Sequence, residues 1–474
     1  MYDSFNNRRS FLCNGSQSIA ITALASVLAQ KSFANDNKEK SKPKKIRAKR
    51  VIQISLVGGL SHLDSFDYKP ELEKFHGKKL LTDKVPDTFF NQVGLIRKND
   101  WEFKQRGNSG LYISDLFPNI AKCADDLTII RSMVSDSANH TPALFIENSG
   151  FNSNGFPSMG SWISYGLGSE NANLPVFIVL PDGRGEPNGC ASNWSNGFLP
   201  ANHQGVIFQS GNQPLKNLYP AKSRSNAEEN DSLDFLNQLN ATHLSGFPGD
   251  TNLAARIKSH EMAAKLQLSV PEATTISNEP MHIQNLYGIH RPETSVCAQK
   301  CLLARRLLER GVRFVQIYSG GPIAGSPRAS WDAHENVKEN HSAEALKIDQ
   351  PVAALILDLK QRGMLEDTLV LFTTEFGRTP FAQSSSTTIG TGRDHNKYAF
   401  SVVMAGAGLK NGTTYGESDP VGWKVATNPV AWHDFHATVL HILGIDHEQL
   451  TFYHNGIQRR LTNVHGNIIQ NILA

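Results

Sequence analysis

Histidines and carboxylates in this sequence follow short apolar runs, where they contribute nothing to packing. The run TLVLFTT at 368–374 leads into Glu375, and a glycine-rich loop then places Asp394 beside His395. With similar positions after other runs, the set is His62, Asp64, Asp332, His334, Glu375, Asp394 and His395. Imidazole with carboxylate suits a divalent cation, which can stabilise both oxygens in a displacement at phosphorus or sulfur. We therefore predict a site for one or two ions of zinc, manganese, calcium or iron.

The apolar runs themselves predict the elements that would bring these residues together. Six short runs rich in β-branched and aromatic residues alternate with stretches of helical spacing, and they lie at 51–57, 127–133, 175–180, 312–319, 368–374 and 400–406. Continuous apolar strands alternating with helices indicate an α/β fold with a mostly parallel sheet covered on both faces. Loops at the carboxyl ends of parallel strands converge on one crevice, so the histidines and carboxylates are expected to meet there.

The first 50 residues have the composition of an export signal followed by a tether. Arg8 and Arg9, then an apolar stretch and small residues up to Ala34, follow the order of a twin-arginine signal, so residues 1–34 are predicted to direct export. Residues 35–50 hold eight Lys or Arg against two acidic residues and are predicted to form a basic linker. The α/β domain is expected over 51–474, with a helical insertion at about 221–295.

The net charge and the lengths of the apolar runs limit the classes of partner that this protein is expected to bind. Residues 1–50 carry a net charge of +8 in a chain whose total is +3, which leaves −5 for the rest. A slightly acidic body argues against a nucleic-acid partner. No apolar run reaches the roughly 18–20 residues that a membrane helix needs, so no transmembrane segment is expected in the mature chain. We expect an exported protein, periplasmic or extracellular, that meets the twin-arginine machinery and then an anionic small molecule or a polysaccharide.

Ordered sequence blocks from residue 51 to the C-terminus resemble one secreted bacterial family. The blocks include GGLSHLDSFDYKP, NHTPA, WDAHEN, TTEFGRTP, GRDHN and HDFHATVLHILGIDHEQL, and they occur in the order and at the separations that the family shows. This family is catalogued as a domain of unknown function, number 1501. It is usually placed in the alkaline phosphatase-like superfamily, with sulfatases and cofactor-independent phosphoglycerate mutases. The resemblance implies an alkaline phosphatase-like α/β fold.

The resemblance supports some metal ligands more than others. Asp332 and His334 are similar to the superfamily's Asp-then-His metal block. Glu375 stands where sulfatases carry an aspartate ligand, but Phe376 replaces the histidine beside it. The GRDHN block resembles the loop whose histidine precedes the next strand, which nominates His395 with its neighbouring aspartate.

At the first strand the resemblance breaks down. Gly58 and Gly59 fill the positions where sulfatases carry paired aspartates. His62 and Asp64 must substitute for those aspartates, or that part of the metal site is incomplete.

The nucleophile is the least determined part of the predicted site. The stretch SDSANHTPA has no Cys-x-Pro-x-Arg motif, so a formylglycine sulfatase is not expected. Thr141 and Ser137 are alternatives as hydroxyl nucleophiles. His140 is a phosphohistidine-type nucleophile, a general acid or a metal ligand, and the sequence leaves these roles open.

Substrate contacts are predicted at two places. Arg378 and Arg393 are placed to hold the anionic oxygens of an ester. Asn193 and Trp194 either line a pocket for a sugar or belong to a packed covering loop.

Two functions from different classes fit these patterns. The first is an exported metal-dependent hydrolase of phosphate or sulfate esters. The alternative is a non-catalytic glycan- or partner-binding protein on a degenerate alkaline phosphatase-like fold, favoured by the glycines at 58–59, by Phe376 and by the missing nucleophile motif.

Overall fold

A computed structural model describes residues 48–81, 88, 92–171, 173–209, 226–247, 253, 257, 261, 274–323 and 328–474. The predicted export signal and most of the predicted linker lie outside these residues, and both stay predictions. Within the described part, no helix combines the length and the apolar character needed to cross a membrane.

The strands account for all six predicted apolar runs. In chain order they are β1 (Arg50–Leu56), β2 (Phe103–Arg106), β3 (Leu111–Ser114), β4 (Leu127–Val134), β5 (Phe177–Leu180), β6 (Val206–Ile207), β7 (Phe314–Ser319), β8 (Thr368–Thr374), β9 (Gly377–Arg378), β10 (His395–Asn396), β11 (Phe400–Gly406), β12 (Thr413–Tyr415), β13 (Glu417–Ser418), β14 (Val425–Thr427), β15 (Val430–Ala431), β16 (Phe452–His454) and β17 (Ile457–Arg459).

Nine of these strands form one sheet in the order β12-β4-β11-β8-β1-β7-β5-β6, with β15 also paired to β4. The five strands from β8 to β6 are mutually parallel. β11 is antiparallel to both of its neighbours, β8 and β4. The prediction of a mostly parallel α/β sheet is confirmed. Because β11 is reversed, its first residue lies at the edge where β8 ends.

Helices cover both faces of this sheet. They are α1 (Glu71–Phe75), α2 (His140–Ser149), α3 (Met159–Leu167), α4 (Asn226–Gly246), α5 (Met281–Tyr287), α6 (Ser295–Glu309), α7 (Val337–Gln361) and α8 (Trp432–Ile442). The buried side chains of α6 and α7 pack with one face of β1, and those of α2, α3 and α8 pack with the other face. α4 and α5 lie within the span predicted as a helical insertion, whose boundaries stay a prediction.

Candidate metal centre

Four strand ends at one edge of the sheet deliver the candidate side chains. His140 begins α2 just after β4, and Glu375 follows β8 directly. Asp332 lies in the loop after β7, and His395 precedes the reversed strand β11. These residues are far apart in the sequence and share this edge because of the strand directions described above.

Five side chains form two overlapping groups whose ligand atoms lie within 4.8 Å of one another; the groups are His140, Asp332, His395 and His334, Asp394, His395. Nδ1 of His395 donates to the carbonyl of Ala138 at 2.6 Å, and Nε2, its other ring nitrogen, faces the other members of the groups. That Nε2 lies 2.8 Å from Nε2 of His334 and 3.2 Å from Oδ1 of Asp332. Since both groups include His395, they form one cluster.

Three buried atoms of this cluster have no hydrogen-bond partner among the described residues; they are Nε2 of His140, Nδ1 of His334 and Oδ2 of Asp394. Oε2 of the neighbouring Glu375 has none either. Unpaired buried polar atoms are costly and rare, so their concentration at one place needs a cause. Ligands bound at zinc's usual 2.0–2.1 Å are about 3.3 Å apart in a tetrahedron, close to the separations observed here. The donor set therefore fits a divalent transition metal.

The charges around the cluster prepare the ligands for a cation. Burial alone would raise the pKa of Asp332, but the Arg378 guanidinium and the nearby imidazoles of His140 and His395 hold it well below its usual range. Burial and the charge of Arg378 lower the pKa of His334 to about 3, and burial holds the pKa of His395 well below its usual value. At neutral pH Asp332 is thus ionised and His334 and His395 are neutral, the forms that bind metals. Burial alone would lower the pKa of His140, but the Asp332 and Glu375 carboxylates raise it above its usual value.

Glu375 holds a member of the cluster, His140, through a hydrogen bond. It is fully buried, and its Oε1 accepts hydrogen bonds from Nδ1 of His140 at 3.0 Å and from the backbone N–H of Gly58 at 2.8 Å. The ring of Phe376 packs against the rings of His140 and His395, at 5.0 and 4.5 Å between centroids. Glu375 is outside the two ligand groups, and it orients one of their members.

The backbone at Gly58 explains why no aspartate occupies this strand end. Gly58 has φ +117°, and a Cβ there would lie 2.4 Å from the backbone nitrogen of Asp332. At Gly59 a Cβ would lie 2.7 Å from the ring of Phe376. The close approach of the Asp332 loop leaves no room for the paired aspartates of sulfatases.

His62 and Asp64 are buried close to this edge but do not join the two ligand groups. Nε2 of His62 lies 3.0 Å from the carbonyl oxygen of Gly422. Asp64 accepts from the guanidinium of Arg393 at 2.7 Å and from the hydroxyl of Ser61 at 2.5 Å. Both residues thus have protein partners.

The two arginines nominated for substrate binding are fully buried. Arg378 donates to the carbonyls of Gly58 and Gly59 and to Asp332 at 2.7 Å. Arg393 pairs with Asp64, as above, and donates to three backbone carbonyls. Neither arginine lines the cleft described next.

An open cleft of about 440 Å³ lies over the cluster, and its lining is Asn139, His140, Ile323, Arg328, Asp332, His334, Glu335, Gln383 and His395. The side chain of Arg328 is 36% exposed and pairs with Oδ2 of Asp332. Arg328 was not predicted from the sequence, because its place four residues before Asp332 in SPRASWDAHEN matches no motif.

The described lining of the cleft includes no serine, threonine or cysteine. Thr141 follows His140 in α2 but does not line the cleft. The hydroxyl of Ser137 bonds to the backbone of Asn139. The hydroxyl nucleophiles considered from the sequence are thus not presented to this cleft.

Asn193 and Trp194 belong to a packed loop. Both are buried, and Nδ2 of Asn193 donates to the carbonyl of Asn188 at 2.9 Å. The Trp194 ring packs near Tyr318, at 5.7 Å between centroids. Neither lines the cleft over the cluster.

Fold and site together define an α/β protein with a histidine–carboxylate centre at the carboxyl edge of its sheet. The sequence model of a family described as "Protein of unknown function (DUF1501)" matches residues 48–473. The chain therefore belongs to this family. No curated protein matches the chain.

Several solved structures share features of the fold at low identity. The PsFucS1 sulfatase from Pseudoalteromonas sp. is 15% identical, with 95% of this chain and 76% of that chain covered and a TM-score of 0.35. A phosphonate monoester hydrolase from Silicibacter pomeroyi is 10% identical over 90% and 76%, with a TM-score of 0.35. The alkaline phosphatase of the Antarctic bacterium TAB5 is 13% identical over 78% and 94%, with a TM-score of 0.32. These likenesses are too distant to transfer a substrate, a metal or a reaction.

Proposed function

We propose that this protein is an exported metal-dependent hydrolase of phosphate or sulfate esters with an alkaline phosphatase-like fold. The observation that carries the proposal is the cluster of three histidines and two aspartates at the base of an open cleft, with buried ligand atoms that have no hydrogen-bond partner among the described residues. A structural ion pair network would leave fewer such atoms unsatisfied.

We assign one ion to the cluster, because both ligand groups share His395. Three imidazoles favour zinc, manganese or iron over calcium, which prefers oxygen ligands. A bound ion of this kind would supply Lewis-acid polarisation of the ester oxygens. Asp332 and His334 would hold it from one loop, while Glu375 fixes the orientation of His140.

Arg328 takes the role of anion holder in this proposal. It is the arginine in the described lining of the cleft, and its guanidinium already reaches a carboxylate of the cluster. A planar guanidinium binds phosphate or sulfate oxygens through two parallel hydrogen bonds. Asn139 and Gln383 line the same cleft and can donate further hydrogen bonds.

Water is the proposed nucleophile, because no described hydroxyl or thiol side chain lines the cleft. The water oxygen forms the new bond to phosphorus or sulfur, and the ester oxygen leaves with a proton as the alcohol. Thr141 is not assigned to this step, and His140 is assigned to the metal.

Metal analysis and ester hydrolysis test the proposal. The full chain, expressed with zinc, manganese or iron supplementation, is expected to hold about one ion per chain and to hydrolyse p-nitrophenyl phosphate, bis-p-nitrophenyl phosphate or p-nitrophenyl sulfate. Asp332→Asn should lose both properties. Asp434→Asn is the matched control, since Asp434 bonds to the backbone near the start of α8 and is outside the cluster.

Two outcomes separate the hydrolase from its rival. A chain that binds no divalent ion under any of these conditions contradicts the proposal. A metal-loaded chain that hydrolyses none of the three esters, but is retained by a polysaccharide, supports the non-catalytic binding protein instead.

A further inference from the structure

We propose that a second groove, along α7, binds a sugar chain that forms the alcohol part of the ester. This inference rests on the proposed hydrolase function and names its substrate class: a phosphate or sulfate ester carried by an oligosaccharide. A small monoester would leave the groove unused.

The groove has a volume of about 720 Å³ and follows one face of α7. Its lining on this helix comes from Glu339, Asn340, Ala343, Glu344 and Lys347, spaced by three and four residues as one helical face requires.

The groove opens into the cleft over the metal cluster. Arg328, Asp332, His334 and Glu335 line both spaces. A ligand whose ester group lies at the cluster can therefore continue along α7 without leaving the protein surface.

The chemistry of the groove selects among extended ligands. Its described lining includes three basic residues, Arg184, Arg328 and Lys347, and the four acidic residues Asp332, Glu335, Glu339 and Glu344. This near balance disfavours a polyanion, which would need a surplus of positive charge. The apolar side chains of this lining are two alanines, which disfavours a lipid chain. Hydroxyl groups, which both donate and accept hydrogen bonds, match such a surface.

Three charged residues of the groove lining, Arg184, Glu344 and Lys347, are held in place by ion pairs. Arg184 donates to Asp182 at 2.8 Å and to Glu344 at 2.6 Å, and Lys347 donates to the same glutamate at 2.6 Å. Asn340 donates to the carbonyl of Ser330 at 3.0 Å. Polar groups fixed before binding cost a ligand less entropy than flexible ones.

A bulky substitution in the groove tests the proposal. Ala343 is exposed and lines the groove but not the cleft over the cluster, so Ala343→Trp would place a bulky ring in the groove. Ser342 is the adjacent exposed helical residue outside the lining, so Ser342→Trp is the matched control. The zinc-loaded full chain would be assayed on p-nitrophenyl phosphate and sulfate. It would also be assayed on gluco-, galacto- and manno-hexasaccharide monophosphates and monosulfates, with the monosaccharide esters for comparison.

We expect at least one hexasaccharide ester to have a KM lower than that of its monosaccharide ester by about tenfold or more, as one or two hydrogen bonds would give. Ala343→Trp should abolish that difference and leave kcat/KM for the nitrophenyl esters and the zinc content unchanged. Ser342→Trp should behave as the unmodified protein.

The failures of the two proposals are distinguishable. If the nitrophenyl esters are hydrolysed but no hexasaccharide ester is preferred, or Ala343→Trp leaves the preference intact, the groove proposal is overturned and the hydrolase stands. If the protein binds no metal and hydrolyses nothing, the hydrolase proposal fails, and the substrate class that rests on it fails with it.

Discussion

Nδ1 of His140 lies 3.0 Å from Oε1 of Glu375, and Nε2 of the same ring lies 3.7 Å from Oδ1 of Asp332. The glutamate ends a strand and the histidine begins a helix, 235 residues apart in the chain. A carboxylate that fixes one nitrogen of an imidazole, so that the other faces an ion, is a common support of metal ligands. This relationship accounts for a glutamate buried at the end of an apolar strand.

Glu375→Gln tests that support. The amide keeps the shape but removes the charge that holds the His140 imidazole, so the affinity for zinc should fall about 10–100-fold while the protein still folds. Titration with a competing chelator measures the affinity, and exposed Glu448→Gln provides the control. An unchanged zinc affinity would show that His140 does not depend on Glu375.

Asp64 and Arg393 should behave as a buried structural pair. Removing one partner leaves an uncompensated buried charge, so Asp64→Asn should lower the free energy of unfolding by about 3–5 kcal/mol. The folded fraction should keep its full metal content. Denaturant unfolding and metal analysis on the same sample distinguish the roles, because lost metal with unchanged stability would make Asp64 a ligand, as the sequence predicted.

Gly58→Ala should damage the centre through the backbone. A Cβ at this position would lie 2.4 Å from the nitrogen of Asp332, so the loop that carries Asp332 must shift and zinc binding should weaken. Gly155→Ala is the control: φ there is +92°, but nothing lies within 4 Å of the added Cβ. Both variants should lose about 1–3 kcal/mol from backbone strain. Equal zinc affinities in the two variants would contradict the steric explanation.

Stability should fall on acidification partly because of His436. Nε2 of His436 donates to the carbonyl of Glu147 at 2.8 Å, and burial lowers the pKa of this histidine from 6.5 to about 3. Above pH 6.5 the ring is neutral in both states and contributes nothing. Between pH 6.5 and 3 the unfolded chain binds a proton that the folded chain does not, so stability falls by up to about 1.4 kcal/mol per pH unit.

His436→Gln removes that titration, so the decline of the unfolding free energy between pH 6.5 and 4 should become shallower. Urea unfolding at a series of pH values measures the slope, with exposed His243→Gln as the control. Identical slopes for His436→Gln and the unmodified protein would rule out this contribution.

The continuous apolar runs predicted the sheet, because a strand that is buried on both faces has apolar residues along its whole length. All six predicted runs are strands. The same reasoning predicted that Asp332, His334, Asp394 and His395 would approach one another, since strand ends of one direction share an edge. It could not predict that β11 is antiparallel, because strand direction depends on pairing between distant segments.

The roles of individual charged residues were harder to predict from the sequence. Arg378 and Arg393 stand in the same blocks as the metal-type residues, yet both guanidinium groups lie inside the fold and bond to backbone carbonyls. Arg328 carried no motif, but its side chain reaches the cleft. The direction of a side chain depends on the packing around its loop, which local patterns do not contain.

The sequence by itself determined which residue types lie at the strand ends, and so the kind of chemistry the protein can support. Apolar periodicity and polar interruptions are local properties, and they survive in the chain without any tertiary contact. Only the tertiary structure decided that Glu375 supports His140, that Asp64 pairs with Arg393, and that a groove along α7 joins the cleft. The first two pairs join segments 235 and 329 residues apart, and their distances are set when the sheet assembles and buries its two faces.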